Sequence, residues 1–175
     1  MYTAQESSML HGMSGLLRLA LVMAGIAVAA LTFAFFYLQK TLGLPPCPLC
    51  IVDRLALLLL TGTLLAGLLG AYCWPGWQRV IMRYTCIFNV LWLVLGLWAS
   101  GRHVLLQRFP SDAGTCIPEL KTDLPDLLTR AFSGSSDCGA VLWTFMGLSI
   151  AEQTMLLFVL LSLLNLGLFY LTRPV

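Results

Sequence analysis

Two cysteines separated by two residues, in Cys47-Pro48-Leu49-Cys50, are the sharpest chemical feature of the sequence. A pair so spaced at the start of a helix can close a small disulfide, and the helix N-terminus together with a neighbouring cation favours the thiolate. Arg54 supplies the cation. It follows Cys50 by four residues, so one helical turn brings its guanidinium onto the face that carries that sulfur. Two blander readings compete: an inert structural disulfide, and half of a metal site. Zinc wants further Cys or His ligands at matching spacing. The histidines are His11 and His103 alone and there is no second Cys-x-x-Cys, so no metal is expected.

A second pair, Cys116 and Cys138, lies 22 residues apart in a segment containing Pro, Asp and Ser. Spacing does not assign its partners, because four cysteines allow three connectivities. If Cys116 joins Cys138, the bridge closes a loop with little core around it and stays open to attack by a partner thiol; the alternative is a staple that orders the loop. One dithiol at the mouth of a helix and another in an aqueous loop suggest a relay, since thiol-disulfide exchange needs the pairs to meet only transiently. Considered alone, Arg54 reads as a snorkelling anchor. Beside a redox pair it can also polarise the carbonyl of a lipid-soluble acceptor as negative charge develops there. His103 is a second candidate donor, against the plainer reading of an interfacial hydrogen bond.

The elements that carry these residues follow from composition. Of 175 residues 59% are hydrophobic and 10% charged, and mean hydropathy is +0.87, whereas soluble domains are about a quarter charged. The windows 19–38, 55–78, 84–101 and 153–172 contain no Asp, Glu, Lys or Arg. At about 1.5 Å per residue, roughly 20 helical residues cross a hydrocarbon core of ~30 Å. A soluble enzyme, a disordered chain and a nucleic-acid binder are thereby excluded; a net charge of +2 offers no phosphate-neutralising patch. The first run is too long for the apolar part of a signal peptide and reads as a retained helix. The expected architecture is all-α: one unit over 1–175, a four-transmembrane-helix bundle with helices near 16–38, 51–73, 83–100 and 154–171.

Loops 39–50 and 101–153 then share one side of the membrane. The second is wet, holding six of the eight acids. Within it, 118–130 has leucines at helical spacing and 140–151 is an uncharged run too short to span, so both are candidates for short interfacial helices. The compact turn bearing Arg79 and Arg83 favours a cytoplasmic position for itself and both termini, leaving the two long loops on the outer, oxidising face. Cys73 and Cys86 flank the inner turn and are expected to pack as small hydrophobes.

Taken together these residues resemble the DsbB family, four-helix quinone reductases of the bacterial inner membrane that reoxidise the periplasmic thiol oxidase DsbA. The resemblance rests on Cys47-Pro48-Leu49-Cys50 with Ile51-Val52-Asp53-Arg54, on Gly101-Arg102-His103 with Gln107 and Pro110, on Cys116, and on Ser136-Asp137-Cys138 with Trp143 and Gly147-Leu148. It implies that Cys116 takes the mixed disulfide with a DsbA-like thioredoxin-fold partner and that Cys138 resolves it. It implies further that Cys47 exchanges with that pair, that Cys50 faces ubiquinone or menaquinone, and that Arg54 and His103 lie at the quinone head group. Asp53 departs mildly from the family pattern, in which a longer acid or another polar residue often stands, and no role is attached to it. A vitamin K epoxide reductase-like chain is disfavoured because there the quinone-proximal pair comes late. A DsbI-like paralogue with another partner and a non-enzymatic scaffold with two structural disulfides are the remaining alternatives.

Overall fold

A helix in lipid must satisfy its own backbone, so long apolar runs have little choice but to be helical. The computed structural model, which describes residues 2–43, 47–109, 141 and 143–173, contains four such helices. Helix α1 (Tyr2–Thr32) runs without a break into a wider π-helical stretch, Phe33–Thr41. Helix α2 (Pro48–Cys73) leads through a single 3-10 turn, Pro75–Trp77, into α3 (Gln78–Arg108). A two-stranded hairpin, β1 (Thr144–Phe145) and β2 (Leu148–Ser149), precedes α4 (Ile150–Leu171).

The packing is that of a membrane bundle. Only 22 to 39% of each span's most apolar window is buried, and Leu21, Leu58, Leu69, Phe88, Val94 and Leu163 point outward where soluble proteins place charge. Inside, Ala20, Met23 and Ala27 of α1 meet Leu60 and Leu64 of α2, Met82 and Leu93 of α3, and Phe158 and Leu161 of α4. Small residues decide how close the helices come. A Cβ added to Gly96 would overlap the Phe158 ring, and one on Gly67 would overlap Thr85. A buried polar layer crosses the middle: Thr63 donates to Asn89, Asn89 Nδ2 to Asn165 Oδ1 at 3.5 Å, and Asn165 Nδ2 to the Cys86 carbonyl at 3.1 Å. At the end of the bundle that carries the turn between α2 and α3, the Arg83 guanidinium lies over the Phe169 ring and that of Arg173 over Tyr170, where cations reach out of the hydrocarbon toward water.

Several helix ends differ from those expected from charge alone. α2 begins at Pro48 rather than 51, and α3 continues to Arg108, two turns past the expected stop at 100, because a helix already nucleated in the membrane can project its charged last turns into water. The first eight residues assigned to the second outer loop are therefore helical. The uncharged run 140–151 is not an interfacial helix over its described length. Met146 and Gly147 both adopt positive φ, 53° and 80°, which folds 144–149 into a tight hairpin, and α4 starts behind it. There Ser149 and Glu152 form a reciprocal capping box, and Glu152 also meets Arg108 at 3.2 Å, tying the start of α4 to the end of α3. The other candidate interfacial helix, 118–130, lies outside the described residues. Cys86 is buried as expected, whereas Cys73, the last residue of α2, is exposed.

Close approach at Gly96 has a measurable consequence. Gly96→Ala should lower the stability of the detergent-solubilised chain by about 1–3 kcal/mol in thermal unfolding. Gly62→Ala, which faces open space, should leave it unchanged or raise it by up to about 1 kcal/mol. Equal responses at the two sites would contradict the packing of α3 on α4.

Candidate redox site

The first turn of α2 is built by its own cysteines. Cys47 stands at the N-cap in extended conformation, and its sulfur accepts from the Cys50 N–H at 3.3 Å, satisfying a donor the helix leaves open. Pro48 follows at the first helical position, where its missing N–H costs nothing. This cap folds the motif back on itself, and the Cys47 thiol donates to Cys50 Sγ at 3.0 Å. The two sulfurs are thus held together by the local geometry of a helix start.

The third member comes from α3. Ala99, His103 and Leu106 recur at helical spacing on one face of α3, and Ala99 and Leu106 pack with Leu49 and Val52 of α2 and with Cys47 in a small core separate from the main one. His103 is only 4% exposed, and its ring stands over the dithiol. Nε2 lies 3.8 Å from Cys47 Sγ and Nδ1 lies 4.0 Å from Cys50 Sγ. One ligand atom from each of Cys47, Cys50 and His103 falls within 4.8 Å of the others, the reach of a single metal ion. Sequence spacing set metal aside because it could not see that the two extra turns of α3 deliver a histidine to the pair.

Arg54 is placed differently from the sequence expectation. It stands one turn beyond Cys50 on α2, but its guanidinium is directed to the π-helical end of α1, donating to Gln39 Oε1 at 2.6 Å and to the Ala34 carbonyl at 3.1 Å. Close to this junction an aromatic group links α1 to the hairpin. The Trp143 ring stacks on Phe145 at 6.0 Å and meets Phe33 and Tyr37 at 6.1 and 6.2 Å. Sequence reading missed Gln39, which stands where the first apolar run ends. It also attached no role to Asp53, although an acid inside a membrane helix is itself a functional signal. Asp53 is 5% exposed and its Oδ1 has no hydrogen-bond partner among the described residues. Cys116 and Cys138 lie outside the described residues.

The dithiol, its capping role and the arginine one turn on can be set beside known proteins. The family described as Disulfide bond formation protein DsbB matches residues 17–168. The chain belongs to the DsbB family. Among its relatives, Disulfide bond formation protein B of Psychrobacter arcticus is 38% identical over 148 residues, 78% of each chain. Disulfide bond formation protein B 2 of Pseudomonas fluorescens is 37% identical over 154 residues, 85% of this chain and 86% of its own, and the Acidovorax protein is 36% identical over 157, 85% and 84%. Family and fold together describe a multi-pass membrane oxidoreductase of disulfide bond formation.

The contact between α1 and α2 through Arg54 can be isolated. In a double-mutant cycle of Gln39→Ala and Arg54→Leu, the two losses of stability should be non-additive by about 1–2 kcal/mol, the worth of a partly buried charged hydrogen bond. Additive losses would mean that the two side chains do not engage each other.

Proposed function

We propose that this chain oxidises the dithiol of a periplasmic DsbA-like thioredoxin-fold protein and passes the electrons through Cys116 and Cys138, then Cys47 and Cys50, to a membrane quinone, ubiquinone or menaquinone. The observation that carries this reading is the DsbB-family dithiol capping a membrane helix, with a buried histidine against both sulfurs. It works from the inner membrane, with both termini cytoplasmic and both cysteine loops periplasmic.

In the first exchange a partner thiolate attacks Cys116 of a Cys116–Cys138 disulfide, the bond to Cys138 breaks, and the partner's second thiol displaces Cys116. The partner leaves oxidised and two thiols remain on the loop. The same exchange, with Cys47 as the attacked sulfur, moves the pair of electrons to Cys47 and Cys50. The thermodynamic difficulty is that a DsbA-like oxidant sits near −120 mV, and for a two-electron couple each ~30 mV of mismatch is worth about 1.4 kcal/mol, so an ordinary disulfide would run this exchange backwards. A bound quinone supplies the two-electron sink that draws the sequence forward.

The residues present suit such a group. Arg54 has five N–H donors in a planar fork, and its hydrogen bonds to Gln39 and Ala34 fix the plane while leaving donors for a carbonyl oxygen. His103 sits over the sulfurs, placed to take or give a proton at Cys50 Sγ through Nδ1. Leu49, Val52, Ala99 and Leu106 keep water from the pair on the protein side.

Replacing Cys116 by Ala separates the halves of this relay. The variant should lose at least 100-fold in oxidation of a reduced DsbA-like partner, while added ubiquinone still oxidises Cys47 and Cys50, as read by alkylation and mass spectrometry. Undiminished turnover of the partner by this variant would rule the relay out.

A further inference from the structure

Once reduced, Cys47 and Cys50 are two sulfur ligands under a histidine ring, and this arrangement resembles a metal centre more than a thiol pair needs to. We propose that the reduced site is a binding site for a thiophilic d10 cation, with Zn2+ as the working example. Cys47 Sγ, Cys50 Sγ and one ring nitrogen of His103 would be its three protein ligands, and the bound ion would hold the chain out of its redox cycle.

Several features of the structure point the same way. The three ligand atoms lie within 4.8 Å of one another and come from two helices already packed together, so no element must move to assemble them. The donor set is two sulfurs and an imidazole, the chemistry that selects Zn2+ or Cu+ over hard cations. A tetrahedral ion with metal-sulfur bonds of ~2.3 Å holds its sulfurs roughly 3.8 Å apart. The pair, now at 3.0 Å, therefore opens by less than an ångström, a matter of side-chain rotation. Three protein ligands leave the fourth position to water, and neither Cys47 nor Cys50 is fully buried.

Binding moves no electrons. Each sulfur that is still protonated gives its proton to solvent as its metal-sulfur bond forms, so affinity rises with pH and the ion competes with disulfide formation for the same sulfurs. Oxidised cysteines offer no thiolate, which makes the site specific to the reduced state. Binding requires only that the pair can be reduced, whichever acceptor or partner the relay uses.

The experiment uses the full-length chain in detergent with Cys116→Ser and Cys138→Ser, which removes the loop thiols. The protein is reduced, freed of reductant without oxygen and titrated with Zn2+ against a chromophoric chelator. One equivalent should bind, with an X-ray absorption spectrum of two sulfur neighbours and at least one nitrogen. Binding should vanish in the oxidised chain and after Cys50→Ser, and weaken about tenfold or more after His103→Ala. Absence of stoichiometric binding, or an affinity unchanged by either substitution, overturns the proposal. No quinone or partner protein enters the measurement, so a failure here leaves the relay standing and a failure of the relay leaves this site standing.

Discussion

The first turn of α2 meets the last turns of α3, and this one contact assembles the site. A helix start leaves N–H donors unsatisfied, and at a membrane surface they cannot all be left to water. Here one of them is met by the Cys47 sulfur, so the cap that begins the helix also brings the two sulfurs together. α3 then outlasts its apolar span by two turns and lays His103 against the dithiol. Shortening either helix would separate the three groups.

Around this contact the bundle supplies rigidity where chemistry needs it. Gly96 lets Phe158 of α4 press into α3, and the Ser149–Glu152 cap with Arg108 fastens the start of α4 to the end of α3. Arg54 performs the corresponding task on the opposite flank, joining α2 to the π-helical end of α1. Stretches of π-helix often mark functional sites. The one here carries both Arg54 acceptors and the aromatic rings that receive the hairpin. A dithiol, a cation and an aromatic surface are thus gathered at one end of four lipid-facing helices.

Much of this was legible in the residue order, for physical reasons. Four chargeless runs of membrane-spanning length permit almost nothing but four helices, and Cys-Pro-Leu-Cys before a long apolar run places a dithiol at the mouth of a helix. What could not be read was whatever depends on contacts between elements. The apolar run puts the end of the third helix at 100, ahead of the charge on Arg102, yet the helix continues to Arg108, so the approach of His103 to the sulfurs was hidden. The direction of Arg54 depended on Gln39 from another helix. The turn at Met146 and Gly147 was masked by an apolar composition that suits an interfacial helix equally well, and nothing in the pattern of 33–41 separates a π-helix from an α-helix.

In the relay we propose, electrons leave a partner's dithiol and reach a membrane quinone through this chain's own sulfurs. Its most direct test is a stoichiometry, followed without oxygen by quinone absorbance and by thiol counting, with purified chain, reduced DsbA-like protein and ubiquinone. The account predicts one quinone reduced for each partner disulfide formed, with both signals lost together in Cys50→Ser. Partner disulfides formed with no matching loss of quinone, or quinone reduction that persists in Cys50→Ser, would contradict it.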